Sequence, residues 1–348
     1  MLVPMRTLLD HAMENGYGIL AANVNLDLQA AAAMEAAHRL GSPIILQLSR
    51  GALAFARMRM VAHEMMAAAE EWPDVPFAAH LDHGNEFATC ESAIGVGLTS
   101  VMIDGTLMHD GKTPSGKDLV YNIDVTRKVV ALAHARGVTV EGEVGCLGHL
   151  MTGKGEEEDG HGAKCKLSRD ELLTDPKDAA RFVAATGVDA LAVAIGTSHG
   201  AYKFTEPPTG EVLKIDRVAE IHAAIPNTPL VMHGASSVPQ ELLEIIRRFG
   251  GELKPTWGVP LEEIQRAIKN GVRKVNVDTD SRLAITGAIR KFFAEKRAEF
   301  DPRGYLKPAR EAMMDVCIKR IQAFGSEGQA SKIKAATLDD LAKFYATL

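Results

Sequence analysis

The chain has 348 residues, of which 46% are hydrophobic and 24% are charged, and its formal net charge is -6. This length suits one large α/β barrel or two ordinary domains, and the composition is typical of a soluble globular protein. A chain with this charge does not bind nucleic acid through bulk electrostatics, so we predict no nucleic-acid partner. A net negative charge of this size is still compatible with local basic sites that bind an anionic substrate.

The cysteines and the apolar stretches predict a cytoplasmic protein. The cysteines form no C-x-x-C pair and are widely scattered, at Cys90, Cys146, Cys165 and Cys317. That usage suits a reducing compartment better than a disulfide framework. Asp10 and Glu14 interrupt the apolar residues near the N-terminus, so no signal peptide is expected. No uncharged stretch approaches the roughly 20 apolar residues that cross a bilayer, so we expect no membrane span.

Short apolar runs alternate with longer segments of helical spacing from residue 17 onward. Strands are predicted at 17–23, 43–49, 75–82, 99–104, 138–144, 190–195, 229–233 and 273–277. Helices are predicted at 27–40, 60–71, 86–96, 118–136, 176–186, 216–224, 239–249, 260–270, 281–299, 308–324 and 338–345. This alternation predicts a single-domain (β/α)₈ TIM barrel over residues 1–348, with additional C-terminal helices. Two long excursions, 145–168 and 196–214, are rich in glycine or charge and are predicted to be loops.

Polar residues recur at or just after the carboxyl ends of the predicted strands. They are Asn23, Ser49, Asp82, His83, Asp104, Glu143, His199, His233 and Asn276. In a barrel these strand ends converge on one face, where the loops build the active site. The repetition from strand to strand predicts a functional site more strongly than any single motif does.

Three of these residues are histidines that follow different strands: His83, His199 and His233. Three imidazoles that leave a fourth position open are typical of a catalytic zinc site. Each histidine taken alone has the alternative role of a hydrogen-bonded core or loop residue. Their shared position at strand ends favours the metal site.

Two turns offer anion sites. The motif HGASS after the seventh strand presents backbone N–H groups and a serine hydroxyl, with Lys203 as a nearby charge. The motif VNVDTD at the eighth strand is followed by Arg282, a candidate bidentate phosphate partner. The alternatives are that Gly234 permits a tight turn and that Asp280 caps a helix. Two anion sites flanking a metal predict a bisphosphorylated substrate.

The ordered motifs HLDHG, EGEVG, IGTSHG, MHGASS and VNVDTD resemble class II, zinc-dependent fructose-1,6-bisphosphate aldolase. The motif DPRGY near the C-terminus is similar to the subgroup of Calvin-cycle aldolases. The resemblance implies reversible aldol cleavage of fructose 1,6-bisphosphate to dihydroxyacetone phosphate and glyceraldehyde 3-phosphate. Such a reaction serves glycolysis, gluconeogenesis and the Calvin cycle.

The resemblance also implies roles for individual residues. His83, His199 and His233 match the zinc ligands, and Glu143 matches a glutamate that approaches the metal or its surroundings. Asp82 matches the acid/base that handles the C4 hydroxyl proton.

The family's substrate-binding positions match Asn23, Ser49, Lys203, Gly234, Ser236, Asn276, Asp278 and Arg282. Its mobile-loop glutamate falls within 156–159, and Glu158 is our assignment for it. Family members commonly bind a monovalent cation, K⁺ or Na⁺, near the first phosphate. They form homodimers or homotetramers.

Several alternatives stay open on the residues. A tagatose-bisphosphate aldolase would share nearly every site residue and differ in C4 stereochemistry. A Schiff-base aldolase would need an interior lysine, for which Lys274 is the candidate. A zinc hydrolase barrel usually has His-x-His on its first strand, where this chain has Asn23-Val24-Asn25. A non-catalytic sugar-phosphate-binding protein would use the same fold.

Overall fold

Eight parallel strands close into a barrel in the order β1-β8-β7-β6-β5-β4-β3-β2, which confirms the predicted TIM barrel. We describe the chain from a computed structural model over residues 1–108, 113, 115, 119–145, 148–149, 154–155, 172–198, 202–208 and 212–348. The strands are β1 Ile19–Asn23, β2 Ile44–Ser49, β3 Phe77–Gly84, β4 Ser100–Ile103, β5 Thr139–Val144, β6 Ala190–Val193, β7 Leu230–Met232 and β8 Val272–Val277.

Thirteen α-helices lie within the described ranges, most of them outside the barrel between successive strands. They are α1 Met5–Asn15, α2 Asp27–Leu40, α3 Arg50–Ala56, α4 Met58–Glu71, α5 Phe87–Gly95, α6 Val120–His134, α7 Pro176–Thr186, α8 Ile215–Ala224, α9 Gln240–Arg248, α10 Leu261–Lys269, α11 Thr279–Glu295, α12 Pro302–Phe324 and α13 Leu338–Tyr345. None of these helices is long and apolar enough to cross a bilayer.

The first helix, which the sequence prediction omits, packs on the amino end of the barrel. The buried face of α1 includes Leu8, Leu9 and Ala12, at helical spacing. These side chains join an apolar cluster with inward residues of the strands, among them Ile19 and Ile45. The helix therefore covers the end of the barrel opposite the predicted site. A second omitted helix, α3, follows β2 directly.

The C-terminal helix α12 begins earlier than predicted. Asp301 caps it by accepting the backbone N–H of Arg303 at 2.9 Å, with Pro302 in the first turn. Proline disfavours a helix interior, which is why the prediction placed the start at Pro308. The Asp-Pro start is the stronger signal, and Pro308 lies inside the helix. The helix packs against α11 and α2, so it adds a layer outside the barrel.

The described parts of the two predicted excursions contain short pairings. Residues 148–149 pair antiparallel with 154–155 in the first excursion. In the second, Phe204 exchanges backbone hydrogen bonds with Trp257, at 3.2 and 3.0 Å. The second excursion is thereby joined to the segment that follows α9. The predicted loop residue Glu158 lies outside the described residues.

Candidate active site

The carboxyl end of the barrel collects side chains from strands distant in sequence. Alternate residues of a strand face the same side, so one inward position near each strand end reaches the barrel mouth. The structure brings together Asn23, Asp82, His83, Glu143, His233 and Asn276. All except His83 are buried, and the His83 side chain is 15% exposed. His199 lies outside the described residues.

The Asp82 carboxylate is held by three amide side chains. Oδ2 accepts hydrogen bonds from Nδ2 of Asn23 at 3.0 Å and from Nε2 of Gln47 at 3.1 Å. Oδ1 is 3.4 Å from Nδ2 of Asn276. These donors come from β1, β2 and β8, so the carboxylate is fixed by three strands at once. Ser49 lies beside Asp82 in the β2–β3 register, and its hydroxyl caps α3 by accepting the N–H of Ala52 at 3.1 Å.

The imidazoles of His83 and His233 face each other beside Asp82. Nε2 of His83 lies 2.9 Å from Nδ1 of His233, and the ring centroids are 4.6 Å apart. One ligand atom from each of Asp82, His83 and His233 lies within 4.8 Å of the others. Imidazole nitrogens and carboxylate oxygens are donors that suit Zn²⁺ and similar divalent ions. The donor set therefore fits a metal ion.

The backbone at His83 explains how two consecutive residues both reach the site. Neighbouring strand residues normally point to opposite faces. His83 has a φ of 53°, in the left-handed region, and the β3–β4 register shifts between Leu81 and Gly84. A non-glycine residue in that region costs about 1–3 kcal/mol, so it persists only where its surroundings hold it there. The turn brings the imidazole to the same side as Asp82.

The surroundings of His83 favour positive charge. Nδ1 of His83 is 3.3 Å from Oδ2 of Asp104 and 4.0 Å from Oε2 of Glu143. Burial alone would lower the pKa of His83, but the hydrogen bond to Asp104 and the charges of Asp82 and Glu143 outweigh it and raise that pKa to about 10. Three carboxylates thus attract a cation to the place where the two imidazoles offer nitrogen ligands.

A second layer of titratable side chains, Glu141, Lys274 and His80, lies below this site, each two residues before a site residue of its own strand. Oε1 of Glu141 lies 2.8 Å from Nε2 of His233, and Oε2 lies 2.9 Å from Nζ of Lys274. His80 lies 3.5 Å from the same Oε2, and burial together with the Lys274 charge holds the pKa of His80 well below its usual range. All three of these side chains are fully buried.

Gly234 forms the turn after β7 where two segments approach closely. It has a φ of 61°, and a Cβ there would lie 2.5 Å from the carbonyl oxygen of Ser198. Lys203 donates its ammonium to that same carbonyl oxygen and is buried. The turn and the lysine expected at the first phosphate therefore lie together.

The hydroxyl of Ser236 ties the turn to the start of α11. It accepts the backbone N–H groups of Asp278 and Thr279 at 3.3 and 3.1 Å. The side chain of Asp278, the residue before α11, pairs with Arg282 in the first turn of that helix, with Nε to Oδ1 at 2.8 Å. The Arg282 side chain is 45% exposed. The arginine thus stands at the open rim of the site.

Asp280 does not cap a helix, which was the alternative considered from the sequence. Its carboxylate accepts the backbone N–H groups of Ser237 and Val238, at 3.2 and 2.9 Å, and pairs with Arg320 of α12 at 2.8 Å. Both side chains are buried. The outer helix α12 is therefore coupled to the turn after β7.

Sequence reasoning assigned no role in the site to Gln47, Glu141 or His80. Each stands two positions before a predicted site residue: Gln47 before Ser49, Glu141 before Glu143, and His80 before Asp82. The spacing of two on a strand, combined with a polar side chain in an apolar run, is the signal that could have found them.

The closed barrel, with a donor set for a metal at the carboxyl ends of its strands, defines a (β/α)₈ barrel enzyme. The family model described as "Fructose-bisphosphate aldolase class-II" matches residues 3–329. The chain belongs to this family of aldehyde-lyases, which confirms the resemblance drawn from the motifs.

Individual relatives match over nearly their whole length. A "Fructose-bisphosphate aldolase" of Nostoc commune is 59% identical over 99% of this chain and 96% of its own. A "Fructose-bisphosphate aldolase class 2" of Synechocystis is 58% identical over 99% of this chain and 96% of its own. Among solved structures, an aldolase from Escherichia coli K12 has a TM-score of 0.70 at 27% identity, covering 95% of this chain and all of that one.

Proposed function

We propose that the chain catalyses the reversible, zinc-dependent aldol cleavage of fructose 1,6-bisphosphate to dihydroxyacetone phosphate and glyceraldehyde 3-phosphate. The observation that carries this proposal is the position of the Asp82 carboxylate beside the facing nitrogens of His83 and His233. This arrangement places a proton acceptor, Asp82, next to two imidazoles that can bind a metal ion, at the carboxyl end of the barrel. Family membership supports the substrate.

The metal would be held by His83, His199 and His233, with Glu143 as an alternate or nearby ligand. A divalent ion there would act as a Lewis acid on the ketose carbonyl and stabilise the negative charge left when the C3–C4 bond breaks. The acidic side chains around His83 supply the matching negative field.

Asp82 would accept the C4 hydroxyl proton during cleavage and return it during condensation. The amides of Asn23, Gln47 and Asn276 orient its carboxylate, so the proton acceptor is in place before substrate arrives. Holding the Asp82 carboxylate in place beforehand lowers the entropic part of the activation barrier.

Glu158 is our proposed acid/base for the proton on the reacting carbon.

The two phosphates would anchor the sugar at both ends. Gly234, Ser236 and Lys203 would receive the phosphate of the dihydroxyacetone half, and Arg282 would receive the distal one. Binding energy at these remote groups places the reacting carbons against Asp82. Asp278 would contact the sugar hydroxyls.

The remaining parts of the proposal follow from the resemblance and the composition. A monovalent cation, K⁺ or Na⁺, would accompany the first phosphate. The whole chain, 1–348, would act as one cytoplasmic barrel domain in homodimers or homotetramers. Its reaction would serve glycolysis, gluconeogenesis and the Calvin cycle.

The geometry disfavours the Schiff-base alternative for Lys274. Its ammonium is fully buried and lies 2.9 Å from the Glu141 carboxylate. A nucleophilic lysine must reach the substrate carbonyl. Lys274 lies one layer below the site and is held there by its contact with Glu141.

The test is cleavage of two bisphosphates that differ only at C4. Zinc-loaded protein is assayed with fructose 1,6-bisphosphate and with tagatose 1,6-bisphosphate at equal concentrations, and the triose phosphates are quantified. We expect a higher kcat/KM for the fructose epimer. A higher kcat/KM for the tagatose epimer would show that the chain is a tagatose-bisphosphate aldolase. Tight binding of both sugars without cleavage would show that it is a sugar-phosphate-binding protein and not an enzyme.

A further inference from the structure

Glu141 joins a proposed metal ligand to a buried lysine in the barrel interior. Its two carboxylate oxygens divide their contacts: Oε1 faces Nε2 of His233 at 2.8 Å, and Oε2 faces Nζ of Lys274 at 2.9 Å. The side chains of Glu141 and Lys274 have no exposed area, and that of His233 is 1% exposed. This chain of contacts is therefore closed to bulk solvent.

We propose that Glu141 is a positioning residue that fixes the tautomer and the ring direction of His233, and that Lys274 holds the Glu141 carboxylate in place. This inference rests on the metal site of the proposed function. A carboxylate only accepts hydrogen bonds, so the His233 nitrogen that faces it, Nε2, carries the hydrogen. The other nitrogen, Nδ1, is then left with a lone pair.

That lone pair points into the site. Nδ1 of His233 is 2.9 Å from Nε2 of His83 and 3.1 Å from the amide nitrogen of Asn276. The amide of Asn276 is a hydrogen-bond donor, which fits an unprotonated Nδ1. A ring held by Glu141 on one side thus presents a ligand nitrogen on the other, as carboxylate–histidine pairs do at metal sites.

The contact with Glu141 accounts for a lysine, Lys274, in the interior of the barrel. A buried carboxylate is costly unless it is paired. The ammonium of Lys274 offsets that cost at 2.9 Å. Lys274 therefore acts on the metal site through Glu141.

The test measures zinc affinity rather than turnover. Glu141→Gln, Lys274→Met and the double variant are titrated with zinc against a chromophoric chelator, and their thermal unfolding is recorded without metal. We expect the zinc Kd to rise about 10- to 100-fold in each single variant. Because Lys274 acts through Glu141, the double variant should bind zinc no more weakly than Glu141→Gln.

Asp189→Asn is the matched control. Asp189 is also fully buried, and its carboxylate contacts Arg6, His134 and Tyr345 at 2.8, 2.9 and 2.9 Å. It precedes β6, so it lies at the opposite end of the barrel. This variant should lose thermal stability and keep the wild-type zinc Kd. A loss of zinc affinity in the control would show that general loosening, not the Glu141 contact, is being measured.

The unmodified protein offers a readout that needs no stable variant. Long-range ¹H–¹⁵N spectra of protein labelled at histidine distinguish the two tautomers, and we expect His233 to carry its hydrogen on Nε2. Hydrogen on Nδ1, or wild-type zinc affinity in Glu141→Gln, overturns the inference and leaves the proposed function standing. Absence of zinc binding by the wild type would instead overturn the metal site itself.

Discussion

Asn23 on the first barrel strand donates a hydrogen bond to the Asp82 carboxylate on the third, with Nδ2 and Oδ2 3.0 Å apart. Gln47, on the strand between them, donates to both, at 2.6 Å to Oδ1 of Asn23 and 3.1 Å to Oδ2 of Asp82. The three side chains form a buried polar triangle at the barrel mouth. A carboxylate held in this way cannot turn away from the site without breaking two hydrogen bonds.

The triangle predicts a strong effect of a residue that is not expected to touch the substrate. Gln47→Leu removes both donated bonds, so the Asp82 carboxylate gains freedom to rotate. We expect kcat to fall about 10-fold and the free energy of unfolding to fall by about 1–3 kcal/mol, the range for a lost buried hydrogen-bond partner. Zinc content measured on the same preparation should be unchanged. Wild-type kcat in this variant would contradict the positioning role.

Arg282 should contribute to binding of the distal phosphate and not to binding of the phosphate on the dihydroxyacetone half. Arg282→Met removes a charge-assisted partner worth about 1.5–3 kcal/mol, so kcat/KM for fructose 1,6-bisphosphate should fall about 10- to 100-fold. Cleavage of fructose 1-phosphate, which lacks the distal phosphate, should be nearly unaffected.

The matched control for this variant is Arg39→Met. Arg39 has the same i, i+4 pairing with a carboxylate, at 2.8 Å to Glu35, and is similarly exposed, but it lies at the end of α2. It should leave both substrates unaffected. If Arg282→Met lowers kcat/KM equally for fructose 1,6-bisphosphate and fructose 1-phosphate, then Arg282 does not bind the distal phosphate.

The buried pair of Asp280 and Arg320 should support both the fold and the turn after β7. Arg320→Met leaves a buried carboxylate without its partner, which costs about 3–5 kcal/mol of unfolding free energy. Since Asp280 also holds the N–H groups of Ser237 and Val238, the KM for the bisphosphate should rise as well. Urea unfolding and steady-state kinetics measure the two effects.

Arg303→Met serves as the control for that pair, because Arg303 forms an exposed ion pair with Asp301 at 2.7 Å. Exposed pairs of this kind contribute little, so its unfolding curve and KM should match the wild type. An unchanged unfolding curve in Arg320→Met would show that the carboxylate finds another partner.

The barrel could be predicted because short apolar runs alternate with helical segments, and polar residues recur at or just after the carboxyl ends of most of these runs. The same pattern placed Asp82, His83 and His233 at one end. The contacts that organise the site could not be read from the sequence, since Glu141 and His233 are 92 positions apart and Asn276 and Asp82 are 194 apart. Residues such as Glu141 look like strand interior until the fold shows what faces them.

Two cysteines should be inert in the folded protein. Cys90 and Cys317 are buried, and burial raises the pKa of each thiol to about 12. The reactive thiolate is therefore absent at pH 8. Because the folded pKa lies above the unfolded one, these thiols leave stability unchanged below about pH 8.5 and reduce it as the pH rises toward 12.

A Cys146→Ser/Cys165→Ser variant isolates these two thiols. With a thiol reagent at pH 8 we expect no labelling before unfolding and labelling of both in denaturant. Rapid labelling of the native variant would mean that the helices carrying Cys90 and Cys317 open readily. Urea unfolding at pH 8 and pH 10.5 checks the sign of the pH effect.

In the proposed function the metal site would polarise the substrate and Asp82 would move the proton. The most direct measurement compares fructose 1,6-bisphosphate cleavage by wild type and Asp82→Asn, before chelation, after chelation and after zinc is restored, with bound zinc quantified in each sample. We predict that wild-type cleavage is lost with the metal and returns with it, while Asp82→Asn keeps its zinc and loses about 10²- to 10⁴-fold in kcat. Cleavage that survives full removal of the metal, or an Asp82→Asn variant with wild-type turnover, would rule out these roles of the metal and of Asp82.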